Sequence, residues 1–388
     1  METFKIKAYN KISKVAADTL GNGYEISDSA EQPVGAIVRS AKLHDEQFPE
    51  SLLAIARAGA GVNNIPIERL TDMGVAVFNT PSANANAVKE LVILGLLISS
   101  RKVVPAIEWA KELKGRGDEV GALVEKGKGA FVGPEIRGKT LGVIGLGAIG
   151  VLVANAAHHL GMTVVGYDPF ISLQNAWNLS HHIKRAENIS EIYEKCDYIS
   201  LHIPLNKDTK DTINKDVISK MRDGVRILNF ARDGLVNSQD MIEALGSGKV
   251  SSYVVDFPTD EMINVPGVVC IPHLGASTPE SEDNCAVMAA HELADYIENG
   301  NITNSVNLPA VSMPRSAQMR VTVIHKNISG MLSAITSAVA SDNTNIENLV
   351  NKSRGEYAYT ILDINKTDAK SVEKRLYELE GIIRVRII

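Results

Sequence analysis

The segment Gly138-Lys-Thr-Leu-Gly-Val-Ile-Gly-Leu-Gly-Ala-Ile-Gly150 decides the fold of this chain. Residues 139–144 form a short apolar run typical of a buried strand, and residues 148–160 have helical spacing up to Gly161. The turn between them is a Gly-x-Gly-x-x-Gly sequence made by Gly145, Gly147 and Gly150. Such glycines permit a tight turn, approach of a pyrophosphate to the backbone, and close packing of helix on strand. Because the helix N-terminus also offers N–H groups to phosphate, the segment predicts a dinucleotide-binding unit.

An acidic residue follows at the distance expected of such a unit. Residues 163–167 are predicted to form the next strand, and Asp168 comes directly after it, 18 residues after Gly150. A carboxylate at this position accepts hydrogen bonds from the adenosine ribose hydroxyls, and it repels a 2′-phosphate. No arginine stands beside it in Pro169-Phe170. The sequence therefore predicts NAD as the cofactor in preference to NADP.

The same alternation of strands and helices extends outward in both directions. Downstream, we predict four more short strands at 198–201, 226–229, 252–255 and 268–271. Upstream, we predict strands at 35–38, 53–56 and 75–78 and helices at 62–73 and 84–100. Strands separated by helices form parallel sheets covered on both faces. The sequence thus predicts an α/β protein with a doubly wound Rossmann domain and a second α/β domain.

The C-terminal part follows a different pattern. A long helix is predicted at 279–299, and the Pro-, Ser- and Ala-rich stretch 307–318 is predicted to be a linker. The remaining elements are predicted as strand 320–324, helix 329–342, strands 346–352 and 357–363, helix 367–379 and strand 382–387. This βαββαβ order is typical of a ferredoxin-like domain.

Composition excludes several classes of function. The net charge of -6 argues against nucleic acid as a partner, since phosphate binding needs a basic face. Three cysteines without CxxC spacing, Cys196, Cys270 and Cys285, indicate reduced thiols and no metal site. Lysines interrupt the apolar stretches of the N-terminus, which does not resemble a signal peptide, and no apolar run is long enough for a bilayer. We therefore expect a cytoplasmic protein without membrane contact.

Three polar residues are predicted to follow later strands of the dinucleotide domain: Arg232, Glu261 and His273. Taken singly, an arginine or a His–Glu pair at such a position is more often a surface ion pair or a structural pair than part of a catalytic site. Together they suit oxidation of a 2-hydroxy acid. An arginine binds a carboxylate with a planar fork, a histidine removes the hydroxyl proton, and a glutamate stabilises the resulting imidazolium.

The chain resembles the D-2-hydroxy-acid dehydrogenases over nearly its whole length. The resemblance rests on Arg57-Ala-Gly-Ala-Gly-Val-Asn-Asn-Ile65, Asn79-Thr-Pro81, Glu90-Leu91, the segment Gly138–Gly150, His202-Ile-Pro204, Asn229-Phe-Ala-Arg-Asp-Gly234, Asp256–Glu261 and the His273 loop. It implies that Arg232, Glu261 and His273 are catalytic.

The resemblance also implies which residues bind NAD and how the domains are divided. The expected NAD contacts are Thr80, Gly145, Gly147, Ala148, Ile149, Gly150, Asp168, His202, Ile203, Pro204, Phe230, Ala231, Arg232, Asp256, His273, Gly275 and Ala276. The expected domains are a flavodoxin-like substrate domain (1–98 and 283–308), an inserted NAD-binding domain (99–282), a linker (309–318) and a regulatory domain (319–388).

A phosphorylated substrate is expected from two arginines at neighbouring strand ends. Arg39, Ser40, Arg57 and Gly59 are the predicted substrate-binding residues, and the arginines suit a phosphate dianion. Their alternative role is ordinary surface solvation. Family members that oxidise 3-phosphoglycerate to 3-phosphohydroxypyruvate carry a similar Arg-Ser, which favours these substrates. The alternatives are a glyoxylate or hydroxypyruvate reductase, an enzyme of a dicarboxylic hydroxy acid such as 2-hydroxyglutarate, and a non-enzymatic NAD-sensing corepressor.

Residues 319–388 resemble an ACT regulatory domain. The resemblance implies that His325, Asn327 and Asn345 bind an amino acid, L-serine, across a pair of domains. A homodimer or homotetramer is then expected, because ACT domains pair edge to edge. The alternative is structural: Asn327 caps a helix and Asn345 forms a turn.

Overall fold

The computed structural model describes residues 3–340, 344–365 and 369–388. The chain divides into two compact units, one made of the residues up to Asn84 with Pro279–Ile388 and the other of Ala85–Thr278. All three cysteines are free thiols. Three domain functions stay predictions: substrate binding by 1–98 with 283–308, NAD binding by 99–282 and regulation by 319–388.

The unit Ala85–Thr278 is a doubly wound α/β domain. Its strands, numbered after the five of the other unit, are β6 (Thr140–Ile144), β7 (Thr163–Tyr167), β8 (Lys184–Arg185), β9 (Tyr198–Leu201), β10 (Val225–Asn229), β11 (Val250–Val255) and β12 (Val268–Cys270). They form one parallel sheet in the order β12-β11-β10-β9-β6-β7-β8. The order reverses between β6 and β9, which is the switch point where such sheets bind ligands. The predicted Rossmann fold is confirmed.

Helices cover this sheet. They are α3 (Ala85–Ser100), α4 (Val103–Glu112), α5 (Val120–Gly127), α6 (Ala148–His159), α7 (Leu173–Asn178), α8 (Ser190–Lys195), α9 (Lys215–Lys220) and α10 (Ser238–Gly246), with short 3₁₀ turns at Gly117–Glu119 and Lys128–Phe131. Helix α6 buries Val151, Ala154 and Ala157 at helical spacing against the buried strand β6. This packing fixes the glycine turn that joins β6 to α6.

The other unit contains a five-stranded parallel sheet. Its strands are β1 (Phe4–Ala8), β2 (Tyr24–Ser27), β3 (Gly35–Val38), β4 (Ala54–Arg57) and β5 (Ala76–Asn79), and its helices are α1 (Val15–Leu20), α2 (Ile67–Asp72) and α11 (Pro279–Asn299). The strand order is β2-β1-β3-β4-β5, the flavodoxin-like arrangement. Proline opens α11 and Gly300, with a φ of 71°, ends it.

The same unit includes the predicted ferredoxin-like domain. Its elements are β13 (Met319–Lys326), α12 (Met331–Ala340), β14 (Ile346–Arg354), β15 (Tyr357–Ile364), α13 (Ala369–Tyr377) and β16 (Ile382–Ile387). The antiparallel order is β14-β15-β13-β16. The βαββαβ prediction is confirmed, although the predicted helix ends at 341–342 and 367–368 lie outside the described residues.

Side chains of the ferredoxin-like domain satisfy the last carbonyls of α11. Arg386 donates to the Tyr296 and Ile297 carbonyls at 3.0 and 2.7 Å, and Arg320 donates to Asn299 at 2.9 Å. Cations suit this end of a helix, where the dipole is negative and carbonyls lack partners. Arg320 also forms a fully buried ion pair with Asp363, with Nε and Oδ1 2.6 Å apart.

Three segments differ from the sequence predictions or add to them. The helix predicted at 62–73 is too long: α2 covers only Ile67–Asp72, because Pro66 immediately precedes it. Strand β1 was not predicted, since only Ile6 of its residues is buried. The predicted linker 309–318 is itself packed, with Val311 and Met313 buried against α11 and β5 in the core of this unit.

Within the described residues, no helix combines the length and apolarity required to cross a bilayer.

Glu292 is a buried glutamate on α11. Its Oε1 accepts a hydrogen bond from the Asn304 amide at 2.6 Å, whereas Oε2 has no partner among the described residues. Burial raises the pKa of the Glu292 carboxyl to about 7, although the Asn304 bond acts in the opposite direction. The Glu292 carboxyl therefore holds its proton more tightly in the folded unit than in the unfolded chain.

This burial predicts a pH-dependent stability. Because the folded pKa is raised, the stabilisation is fully present below the ordinary glutamate pKa of about 4.3, and it is lost as pH rises through about 7. Glu292→Gln keeps an acceptor for Asn304 but cannot ionise. We expect the variant to gain about 3 kcal/mol over the native protein between pH 4 and pH 8. Urea unfolding at both pH values measures this difference.

The exposed Glu280 on the same helix provides the control, as Glu280→Gln. Its unfolding free energy should follow that of the native protein at both pH values. Parallel pH curves for the native protein and Glu292→Gln would contradict the assignment.

Candidate active site

The glycine turn after β6 is shaped to receive a phosphate group. Gly145 has a φ of 93°, and a Cβ there would lie 2.5 Å from the His202 carbonyl oxygen. A Cβ on Gly150 would collide with the Gly145 carbonyl oxygen. A Cβ on Gly147, by contrast, would have no heavy atom within 4 Å. The turn is thus tight on the protein side and open above Gly147, where α6 begins, which fits a bound pyrophosphate.

Asp168 is fixed next to this turn by backbone hydrogen bonds. Its Oδ2 accepts from the Leu146 N–H and its Oδ1 from the Phe170 N–H, each at 2.8 Å. A carboxylate has about four lone-pair sites, so two remain for ribose hydroxyls. The geometry fits the predicted adenosine contact and disfavours a 2′-phosphate.

The loop after β9 carries a neutral histidine. The His202 Nε2 lies 2.8 Å from the Ser200 hydroxyl, and burial lowers the pKa of His202 to about 4. His202 therefore adds no charge at neutral pH. Ile203 packs on the domain core, and the Pro204 carbonyl accepts a hydrogen bond from the Thr209 hydroxyl.

In the other unit, Thr80 lies just after β5. Its backbone N–H donates to the Gly59 carbonyl at 3.2 Å. Its hydroxyl is fully buried and has no partner among the described residues. A buried hydroxyl without a partner is destabilising, so a ligand contact at this hydroxyl would be favourable.

The turn after β10 presents Arg232. The buried Asn229 amide donates to the Arg232 carbonyl at 2.9 Å, and its oxygen accepts from the Ala231 N–H at 3.2 Å. The Arg232 side chain is exposed and donates to the Ala231 carbonyl. The Phe230 side chain is a core residue close to Gly95, so only its backbone is available for the predicted NAD contact.

The His273 loop is held by Asp256. His273 is exposed, with a φ of 52°, and its ring centroid lies 4.7 Å from that of Phe257. The buried Asp256 accepts from the Leu274 N–H at 2.7 Å and from the Gly275 N–H at 2.8 Å. Burial raises the pKa of Asp256, and these two bonds partly offset the effect. Sequence reasoning did not identify this positioning role, although an aspartate directly after a buried strand is a usable signal.

Glu261 and His273 are not joined in this structure. Glu261 is exposed, and among the described residues no hydrogen bond or ion pair connects its carboxylate to the imidazole. Catalytic hydrogen bonds are often long without ligand and tighten when substrate binds. The predicted His–Glu pair stays a prediction.

The predicted phosphate ligands lie at the ends of β3 and β4. Arg39 pairs with the Glu282 carboxylate at 2.9 Å. The Arg57 Nε donates to the Arg39 carbonyl at 3.0 Å, and its Nη1 donates to the Gly61 carbonyl. Arg57 therefore supports the Arg39 loop. Sequence reasoning missed Asn10, whose Oδ1 accepts the three successive N–H groups of residues 39–41.

The three predicted effector residues do not converge within one chain. His325 is buried, and its ring bonds the Lys326 carbonyl and the Thr360 hydroxyl, each at 2.9 Å. Burial lowers the pKa of His325. Asn327 lies beside Gly355 at this end of the sheet.

Asn345 lies at the other end of the sheet. His325 pairs with Ala358, whereas Ile346 pairs with Ile364. A separation of six strand residues corresponds to about 20 Å. One amino acid can therefore contact both groups only if a second copy supplies one of them.

The fold and the glycine turn together define a class of proteins, the α/β dehydrogenases with a doubly wound dinucleotide domain. Residues 95–275 match the family model described as D-isomer specific 2-hydroxyacid dehydrogenase, NAD binding domain. The chain belongs to the D-isomer-specific 2-hydroxyacid dehydrogenase family. This confirms the predicted NAD cofactor and the predicted enzyme class, an NAD-dependent oxidoreductase.

Two proteins named D-3-phosphoglycerate dehydrogenase and one solved structure are similar to this chain. D-3-phosphoglycerate dehydrogenase of Escherichia coli is 32% identical over 353 residues, which are 87% of this chain and 82% of the relative. The Bacillus subtilis protein of the same name is 34% identical over 310 residues, 78% of this chain and 56% of that protein. The solved structure of NAD⁺-bound 3-phosphoglycerate dehydrogenase from Entamoeba histolytica has a TM-score of 0.59 at 28% identity, covering 79% of this chain and 99% of that one.

Proposed function

We propose that this protein oxidises 3-phospho-D-glycerate to 3-phosphohydroxypyruvate with NAD, the first step of L-serine biosynthesis. The observation that carries the proposal is the pair of linked arginines at the ends of β3 and β4. The Arg39 guanidinium already binds an oxyanion, the Glu282 carboxylate, and Arg57 holds the Arg39 loop in place. A phosphate dianion binds such a guanidinium more strongly than a single carboxylate does. The names and identities of the relatives support the same substrate.

The catalytic residues take distinct roles in this proposal. Arg232 binds the substrate carboxylate, and its charge polarises the carbonyl in the reverse direction. His273 removes the hydroxyl proton, and Glu261 stabilises the imidazolium that results. The glycine turn after β6 and Asp168 would hold NAD, whose nicotinamide would supply the acceptor for the hydride from C2. Asp256 positions the His273 loop through the Leu274 and Gly275 N–H groups.

Regulation and assembly complete the proposal. L-serine is the proposed effector of the ferredoxin-like domain, with His325 and Asn327 of one copy and Asn345 of another contacting it. Because these residues lie at opposite ends of the sheet, a shared effector site requires at least two copies, and we propose a homodimer or homotetramer. We place the enzyme in the cytoplasm, in keeping with its three free thiols.

A test of the phosphate site is the Arg39→Ala variant. Loss of a charge-assisted contact of about 1.5–3 kcal/mol should raise KM for 3-phosphoglycerate by roughly 10- to 150-fold. Turnover of an unphosphorylated 2-hydroxy acid should change little. Steady-state kinetics with both substrates measure the effect, and Lys14→Ala, which removes an exposed cation directly before α1, is the control. An unchanged KM for 3-phosphoglycerate would remove Arg39 from the phosphate site.

A second candidate is reduction of glyoxylate or hydroxypyruvate. The Arg39–Glu282 ion pair favours this candidate. The Glu282 carboxylate neutralises the Arg39 charge that a substrate phosphate would need. Glu282→Gln distinguishes the two candidates. If a phosphate displaces Glu282, the variant should bind 3-phosphoglycerate more tightly, whereas a site for unphosphorylated acids should show no such gain.

A further inference from the structure

A cavity of about 320 Å³ lies between the ferredoxin-like domain and the loop before β4, within one compact unit. On one side it is lined by residues 383–386 of β16 and by Tyr377 at the end of α13. On the other side it is lined by Glu50 and Leu53. Sites for small molecules have volumes of about 300–1,000 Å³, so a small organic ligand fits here. None of these residues belongs to the proposed active site or to the predicted effector site.

Two arginine side chains line the cavity from the same strand. Arg384 and Arg386 are two residues apart on β16, and alternate residues of a strand lie on the same face of a sheet. Arg384 donates to the carbonyls of Leu52 and Glu50, and Arg386 donates to two carbonyls at the end of α11. Among the described residues, neither guanidinium forms an ion pair with a carboxylate. Carbonyls orient the two guanidiniums but carry no net charge, so both positive charges stay uncompensated.

Partial burial makes this uncompensated charge unfavourable. Burial lowers the pKa of the Arg384 guanidinium, and the neighbouring Arg386 charge acts in the same direction. A cation removed from water is destabilising unless an anion lies close to it. Among the described residues that line the cavity, Glu50 has the only carboxylate, and its side chain is exposed. Two positive charges and one negative charge give the lining a net charge of +1, which favours an anionic ligand.

The guanidiniums retain donors for such an anion. A guanidinium has five N–H groups, and the bonds to carbonyls use two on each arginine. The Cα atoms of alternate strand residues lie roughly 7 Å apart, so both long side chains can reach different oxygens of one phosphate group. Arginine is the preferred residue for this contact because its planar fork matches the oxygens of a phosphate.

The other walls of the cavity are apolar or aromatic. Leu53 and Ile383 are apolar, and Tyr377 is 50% exposed. The Tyr377 hydroxyl accepts a hydrogen bond from the Val385 N–H at 3.1 Å, which fixes the ring beside the edge strand β16. A phosphate group on the arginines leaves these walls for the carbon atoms of the ligand. We propose that this cavity binds a small organic phosphate.

Calorimetric titration of the full-length protein with glycerol 3-phosphate tests the proposal. All proteins carry Arg39→Ala, so that binding does not depend on the proposed phosphate site for the substrate. Glu50→Gln removes the negative charge from the lining and should tighten binding several-fold. Arg384→Gln should weaken binding by roughly tenfold or more. The matched control is Glu25→Gln on β2, an exposed strand residue that β1 and β3 separate from β4, and its affinity should equal that of the Arg39→Ala protein.

Arg384→Gln also removes bonds that hold β16 to the loop before β4, so circular dichroism would check its folding. If this variant unfolds, Glu50→Gln still decides, because the Glu50 side chain is exposed. No saturable binding to the Arg39→Ala protein, or equal affinity of the Glu50→Gln and Glu25→Gln proteins, would overturn the proposal. Equal or tighter binding of malonate would show a carboxylate site and would overturn it as well. Equal affinity for inorganic phosphate would contradict an organic ligand.

Discussion

The His273→Asn variant should lose about 10²- to 10⁴-fold in turnover, the range that a positioned general base contributes. Asparagine is a suitable replacement because it tolerates the left-handed backbone conformation, here with a φ of 52°. The bonds from Asp256 to the Leu274 and Gly275 N–H groups should therefore persist. Steady-state kinetics measure the loss of turnover. NADH fluorescence titration should show a much smaller loss of cofactor binding, since His273 is only one of the expected NAD contacts.

His291→Asn is the matched control, since it changes an exposed histidine on α11. Its turnover should equal that of the native enzyme. If His273→Asn also retained near-native turnover, histidine would be excluded as the base. If instead the variant lost NADH binding as well as turnover, the defect would lie in the loop and not in proton transfer.

The second large effect is expected at Arg320. In Arg320→Met the buried Asp363 carboxylate loses its ion pair, and α11 loses the donor to the Asn299 carbonyl. Removing one partner of a buried pair costs about 3–5 kcal/mol, because the remaining charge stays uncompensated. Urea unfolding, followed by circular dichroism, should show a correspondingly lower midpoint for the unit that contains the ferredoxin-like domain.

Two further variants isolate the cause. Combining Arg320→Met with Asp363→Leu removes both charges and should recover part of the loss, since a buried pair is replaceable by apolar packing. Lys215→Met breaks an exposed pair with Glu243, which water screens, and should lower the midpoint much less than Arg320→Met does. A midpoint for Arg320→Met equal to that of Lys215→Met would contradict the burial argument.

Much of the fold was predictable because local signals bound its elements. The helix Pro279–Asn299 lies between a proline and a glycine, and strand β7 begins after the helix-ending Gly161. Strand β1 was not predictable from an apolar run, because lysines alternate with its apolar residues and only Ile6 is buried. Local signals did not indicate the two compact units, which depend on contacts between residues far apart in the sequence; a discontinuous division was expected only from the family resemblance.

The parts of the site that lie close together in sequence were predictable, whereas contacts between distant residues were not. The glycine turn and Asp168 lie within one βαβ unit, so their spacing alone predicts a dinucleotide site. The Arg39–Glu282 pair joins residues that are distant in sequence, and no motif links them. Likewise, the spacing of Glu261 and His273 could not reveal that, among the described residues, no hydrogen bond or ion pair joins their side chains.

The most direct test of the proposed function is NADH oxidation with a panel of 2-oxo acids. Purified enzyme would be assayed with phosphohydroxypyruvate, hydroxypyruvate, glyoxylate and 2-oxoglutarate, each with and without L-serine, by the absorbance of NADH. We expect selective turnover of phosphohydroxypyruvate that L-serine suppresses. Equal turnover of all four acids, or a preference for an unphosphorylated one, would contradict the phosphate site and leave only an NAD-dependent 2-hydroxyacid dehydrogenase.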